Sequence, residues 1–299
     1  MAGTDSAPAA QLRDDLDAAF AWMRKLGVEI APDRLGAYRK MAEKRDDFIG
    51  GRGTLGLREL APIAATFGYE ADAFIAIHRA FGGRARNELA ALIIQLNLAA
   101  GGAARIDDAR SLGARPARDA LFRALTAAYL RQAIGNVTFG GAASVGFALG
   151  PHHIHVASGR VQPGGDMAAN VTPACAQLLL AFDGRPGPRN RGVVALDASA
   201  LITPPGQVPP AQERAAMNGV ADQVLANFID AQMDALQDAL HGMDRRIVGV
   251  MLLSSSVVVA ADDGAFVQVG RWVLVWREHI SLGDFKLIDR LRGLLRGEG

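Results

Sequence analysis

The residues best suited to chemistry lie in one short stretch, residues 151–166, which reads PHHIHVASGRVQPGGD. It holds three of the six histidines, at positions 152, 153 and 155. Alternate residues of a strand share a face, so a strand here places His153 and His155 on the same side. Their imidazoles suit Zn²⁺ or Mn²⁺, with Asp166 as a third ligand. The alternative is a hairpin edge at which partly buried histidines bind no metal.

A second candidate is Asp197, which directly follows the apolar run at residues 193–196. Sites in α/β proteins lie at the carboxyl ends of strands, although this carboxylate is equally suited to capping a turn. Cys175 is the only cysteine, which excludes an intramolecular disulfide and is typical of a reducing compartment. The longest apolar run, residues 247–261, is too short to span a membrane. We therefore expect a cytoplasmic protein without a membrane segment.

The elements that carry these residues fall into two parts. Residues 1–110 show helical periodicity and predict a helical bundle, with a turn at Gly68 between two of its helices. Residues 111–299 follow the order α–β–β–β–α–β–α–β–β, which predicts an α/β domain with a mixed sheet flanked by helices. Near the C-terminus, the pattern predicts four short strands, at residues 247–253, 256–260, 266–269 and 272–276.

Four stretches of the second part resemble the PD-(D/E)XK nuclease superfamily, whose fold is that of the restriction endonucleases. They are RDALFRAL at residues 118–125, GGAASVGFAL at 140–149, HVASGRVQ at 155–162 and RGVVALDAS at 191–199. The resemblance covers about residues 111–280. It implies a restriction-endonuclease-like mixed sheet, flanked by helices, behind the N-terminal helical bundle.

The resemblance also implies where a catalytic site would lie, and the residues there are inert. Members of the superfamily hold Mg²⁺ with an Asp and a Glu, and a nearby Lys assists the attacking water. Ser144, Ala157 and Gly159 occupy those three positions here, and Arg123 replaces a frequent helix Glu. Alanine and glycine cannot ligate a hard cation. The resemblance therefore implies a degenerate site without catalytic residues or cofactor.

Arginines around these motifs suggest a surface that contacts phosphates. They are Arg118, Arg123, Arg160, Arg189 and Arg191. The alternative is an ordinary solvated exterior, because the net charge of +1 gives no global attraction for nucleic acid.

The leading hypothesis is a catalytically degenerate nuclease-fold protein. It would bind DNA or RNA, or a protein partner through its N-terminal helices. One alternative is an active metal-dependent nuclease or phosphodiesterase whose relocated site uses His153 and His155 with Mg²⁺, Mn²⁺ or Zn²⁺. Another is a structural or regulatory subunit that binds no nucleic acid.

Overall fold

The fold is taken from a computed structural model, which describes residues 9–49, 57–101, 115–139, 145–161, 167–184, 186–202, 213–259 and 266–296. The α-helices are α1 (Ala9–Lys25), α2 (Pro32–Ile49), α3 (Leu57–Phe81), α4 (Ala90–Ala100), α5 (Arg115–Ile134), α6 (Met167–Gly184), α7 (Ser199–Ile202), α8 (Arg214–His241) and α9 (Leu282–Arg296). The strands are β1 (Thr138–Phe139), β2 (Val145–Leu149), β3 (His152–Arg160), β4 (Asn190–Asp197), β5 (Ile247–Val259) and β6 (Phe266–Trp276).

Within the described residues, the strands form one sheet in the order β1-β2-β3-β4-β5-β6. Strands β3, β4 and β5 are parallel, and the outer pairs are antiparallel. The central strand β4 is almost wholly buried, as its unbroken apolar run requires for a strand covered on both faces. The predicted mixed sheet flanked by helices is confirmed.

Helices cover both faces of the sheet. One face packs against the N-terminal helices, α5 and α9, in a hydrophobic cluster that joins Phe20 and Phe74 to Phe122, Phe147 and Val193. The other face packs against α6 and α8. Residues from 1–110 and from 111–299 therefore share a common core.

Three predicted breaks in regular structure are wrong. Helix α3 runs without interruption through Gly68. A glycine inside a helix costs about 1 kcal/mol of stability. The packing of the neighbouring Phe67 and Tyr69 on the core offsets this cost. The four predicted strands after residue 247 are two long ones. The pairs Ser254–Arg271 and Ser255–Gly270 continue the ladder, since backbone pairing does not depend on side-chain polarity.

The start of α9 is anchored to the start of β4. Ser281 caps the helix, as its Oγ accepts a hydrogen bond from the Asp284 backbone N–H at 3.1 Å and donates one to Oδ2 of Asp284 at 2.8 Å. Nε of Arg191 lies 2.5 Å from Oδ1 of the same carboxylate. These contacts fix α9 at the amino ends of the parallel strands.

Candidate functional site

The carboxyl ends of the parallel strands carry a buried polar cluster centred on Asp197. Asp197 is the last residue of β4, and Arg160, its register partner, is the last residue of β3. The Asp197 side chain is only 1% exposed. In parallel sheets this edge is the usual location of ligand sites, so the cluster is the first place to look for chemistry.

Four hydrogen bonds converge on the Asp197 carboxylate. Arg160 donates from Nε at 3.0 Å, and Tyr69 of α3 donates from its hydroxyl at 3.2 Å. Ser199 donates twice, from its backbone N–H at 3.0 Å and from Oγ at 2.5 Å. A carboxylate with both oxygens engaged in this way stabilises its partners and is poorly placed to ligate a metal or accept a substrate proton.

The protonation states fit a closed ion pair. Burial disfavours the charged form of Arg160, but the Asp197 carboxylate beside it leaves the pKa of the guanidinium above its ordinary value. Burial, followed by the Asp197 charge, raises the pKa of Tyr69 well above its ordinary value. Tyr69 therefore remains a neutral donor to the Asp197 side chain.

Further polar groups surround this pair. Oγ of Ser199 accepts a hydrogen bond from the Ser255 backbone N–H at 2.9 Å, which links β5 to the cluster. Ser158 lies two residues before Arg160 and on the same face of β3. Its Oγ is buried and has no hydrogen-bond partner among the described residues. The Asp119 charge on α5 also acts on Arg160. The cluster thus connects the sheet to α3 and α5.

The degenerate nuclease positions lie on the opposite face of β3. Ala157 is 0% exposed and packs in the core under α6 and α8. A Cβ at Gly159 would lie 3.5 Å from Cδ2 of Leu196 in the same core. His155 and Ala157 share this face of β3, and the polar cluster around Asp197 lies on the other face. Ser144 lies outside the described residues.

The histidine prediction is partly supported by geometry. His153 and His155 share a face as expected, with ring centroids 4.6 Å apart. The ring of His155 also lies edge-on to Phe182, near the end of α6, with centroids 5.6 Å apart. Asp166 lies outside the described residues. No group of three His, Cys, Asp or Glu side chains within the described ranges is arranged to hold a metal. A metal site at these histidines remains a prediction.

The five predicted phosphate-contacting arginines do not form one surface. In the register between β3 and β4, Arg191 lies opposite Ile154 and Asp197 lies opposite Arg160. Arg191 and Arg160 are therefore separated by six residues along the strands, a distance of about 20 Å. Arg118 lies 3.6 Å from the Glu70 carboxylate, and Nε of Arg123 is buried. These side chains are partly exposed, and Arg118, Arg160 and Arg191 lie beside carboxylates of the protein.

Arg189 is the exception, because it is exposed beside the anchored start of α9. Helix α9 adds exposed Lys286 and Arg290, and it also exposes Leu282 (71%) and Phe285 (47%). We call these five residues the α9 surface. Sequence reasoning missed this surface. Leu282 and Phe285 lie outside the apolar stripe of the helix, and this position predicts that they are exposed.

Sequence reasoning also missed Tyr69 and Ser199 as partners of Asp197. The spacing of Asp197 and Ser199 is typical of a local Asx turn, so Ser199 was detectable. Tyr69 stands 128 residues before Asp197 and is indistinguishable in the sequence from a core tyrosine.

Comparisons with known proteins give no relative: no family model, no curated protein and no solved structure matches this chain. A search for membrane spans found none, since no helix of the described ranges is both long and apolar enough to cross a bilayer. The function of this chain is therefore inferred from the geometry of its sites.

Proposed function

We propose that this protein is a non-catalytic nucleic-acid-binding module whose binding face is the α9 surface. The observation that carries the proposal is the group of exposed cations there, Arg189, Lys286 and Arg290, beside an exposed aromatic ring. Each carboxylate of α9 already has an arginine partner, Asp284 with Arg191 and Asp289 with Arg292. The charges of Lys286 and Arg290 are thus available to phosphates.

A degenerate PD-(D/E)XK scaffold is part of the same proposal. The mixed sheet with parallel β3, β4 and β5 supports it. The inert residues Ala157 and Gly159 support the loss of the superfamily's chemistry. At the carboxyl edge, the carboxylate of Asp197 is committed to Arg160, Tyr69 and Ser199. A metal-dependent nuclease needs carboxylates open to the ion and to the scissile phosphate.

The test is binding of fluorescein-labelled DNA and RNA oligonucleotides, measured by anisotropy. Lys286→Gln with Arg290→Gln should weaken binding at least ten-fold. The matched control is Arg24→Gln with Lys25→Gln, which removes the same charge from exposed positions at the end of α1 and should leave binding unchanged. Failure of the wild-type protein to bind any oligonucleotide at low salt overturns the proposal and favours a structural or regulatory subunit.

A relocated hydrolase site is the second candidate, favoured by the 4.6 Å approach of the His153 and His155 rings. This candidate predicts stoichiometric Zn²⁺ or Mn²⁺ in the purified protein. It also predicts loss of that metal in the His153→Gln, His155→Gln variant. Metal at trace levels in both proteins would eliminate it.

The alternative is that a protein partner binds to the N-terminal helices. Helix α4 exposes Ile94 and Leu98, which lie one turn apart. Neither residue carries charge, so Ile94→Glu with Leu98→Glu should leave oligonucleotide binding unchanged. A loss of binding in that variant would move the interface to α4.

A further inference from the structure

We infer that the ligand of the α9 surface is single-stranded nucleic acid, with Phe285 as a platform on which a base stacks. This inference rests on the proposed function and specifies its substrate. It starts from the exposure of two large apolar side chains at the beginning of α9. Leu282 is 71% exposed and Phe285 47% exposed, whereas Leu287, Ile288 and Leu291 of the same helix are buried.

Phe285 is held in a fixed position. It directly follows Asp284, whose carboxylate accepts hydrogen bonds from Ser281 and from Arg191. The first turn of the helix is therefore clamped to β4. A backbone that is already ordered loses little conformational entropy when a base stacks on the side chain it carries, so binding energy is retained.

Cations lie on a neighbouring flank of the same helix. Lys286 and Arg290 are four residues apart and follow one flank of the helix. The Arg290 guanidinium reaches the turn between β2 and β3, where a Cβ at Gly150 would lie 3.4 Å from its Nη1. Arg189 is joined to the same turn region, because its carbonyl accepts a hydrogen bond from the His153 backbone N–H at 3.2 Å. Aromatic rings combined with backbone-tracking cations are typical of single-strand binding.

Duplex DNA fits this surface less well. Bases in a duplex are stacked on one another, so a surface ring cannot reach their faces. A helix that reads the major groove presents polar side chains to base edges. The exposed start of α9 instead presents Leu282 and Phe285.

A membrane also fits less well. Helices that lie in a bilayer interface bury a continuous apolar face in the lipid. The apolar face of α9 is already buried in the protein core, through Leu287, Ile288, Leu291 and Leu295. Two exposed apolar side chains are too few to anchor the protein.

The experiment compares an oligo(dT) strand of about 15 nucleotides with a duplex of equal length, using Phe285→Leu, which keeps an apolar side chain but removes the ring face. Single-strand binding should weaken about five- to one-hundred-fold in this variant. Duplex binding should be weaker in the wild type and unaffected by the substitution. Leu180→Ala is the matched control for lost apolar area, because Leu180 is 62% exposed on α6, away from the α9 surface, and it should leave single-strand binding unchanged. Unchanged melting temperatures verify that both variants fold.

The failures of the two proposals are distinguishable. If Lys286→Gln with Arg290→Gln abolishes binding but Phe285→Leu binds the single strand like wild type, nucleic-acid binding stands and the stacking platform is wrong. If the wild type binds neither oligonucleotide, both proposals are overturned. Binding to vesicles of phosphatidylcholine and phosphatidylserine without oligonucleotide binding overturns both in favour of a membrane surface.

Discussion

Nε of Arg160 lies 3.0 Å from Oδ2 of Asp197, and the two residues are also register partners across the parallel strands β3 and β4. The hydroxyl of Tyr69 reaches the same carboxylate from α3. One buried ion pair therefore joins the N-terminal helices to the carboxyl edge of the sheet. Because both oxygens of the Asp197 carboxylate are already engaged, we assign the pair a structural role and place the proposed binding surface on α9.

Asp197→Asn is expected to lower the free energy of unfolding by about 3–5 kcal/mol, because it leaves Arg160 buried without a counter-charge. Urea denaturation measures the change. The control is Asp289→Asn, which breaks the exposed pair with Arg292 and should cost less than about 1 kcal/mol. Equal, small losses in the two variants would contradict a structural role for the buried pair.

Tyrosine ionisation should destabilise the fold in alkaline solution. Burial raises the pKa of Tyr69, assisted by Asp197, and burial also raises the pKa of Tyr129. Stability from both groups is complete below the unfolded pKa of about 10 and falls as the pH rises above it, since only the unfolded chain then releases the protons. Tyrosinate absorbance during a pH titration measures the ionisation of the tyrosines, and Tyr69→Phe removes the contribution of Tyr69. Release of all phenolic protons near pH 10 from the folded protein would contradict the prediction.

Restoring the nuclease residue types should damage the fold. Ala157→Glu places a carboxylate in the core under α6 without a partner, and we expect a loss of more than about 3 kcal/mol in the free energy of unfolding. Leu180→Glu is the control, because it adds the same charge at an exposed position of α6 and should change stability by about 0.5 kcal/mol or less. A stable Ala157→Glu, Gly159→Lys variant that cuts DNA with Mg²⁺ would show that this face is a dormant active site.

Arg277 should be essential to the end of α8. Its Nη2 donates hydrogen bonds to the carbonyl of Leu240 in the last turn of the helix and to those of Met243 and Asp244 just beyond it. Arg277→Leu is expected to cost at least about 2 kcal/mol and to speed amide exchange near residue 240. The control is Arg245→Gln, at an exposed neighbouring position, which should change neither the free energy of unfolding nor the exchange rates. Unchanged exchange rates in Arg277→Leu would rule out this capping role.

The sequence predicted most of the fold because hydrophobic periodicity is a local signal. The central run at residues 193–196 is a buried strand as expected. The errors at Gly68, Ser254 and Gly270 share a cause. Each is a residue that weakens a helix or strand locally, and each is overridden by packing or pairing with distant segments.

The candidate site was much less predictable. Asp197 was identified from its position at a strand end, but its partner Tyr69 lies far away in the chain. The resemblance aligned Ala157 and Gly159 with catalytic positions, and both residues lie on the face of β3 opposite the polar cluster, because successive residues of a strand face opposite sides. The apolar stripe of α9 sets which side of the helix meets the core, but the long-range contact between Arg191 and Asp284, which anchors α9 to β4, has no signal in the sequence.

The most direct test of the central claim is the salt dependence of oligo(dT) binding by the wild type and by the Lys286→Gln, Arg290→Gln variant. If α9 contacts phosphates, affinity falls steeply with salt, and loss of two contacts makes the slope of log K against log salt concentration shallower by about 1.4. An identical slope in the two proteins, or no binding at low salt, would contradict the account.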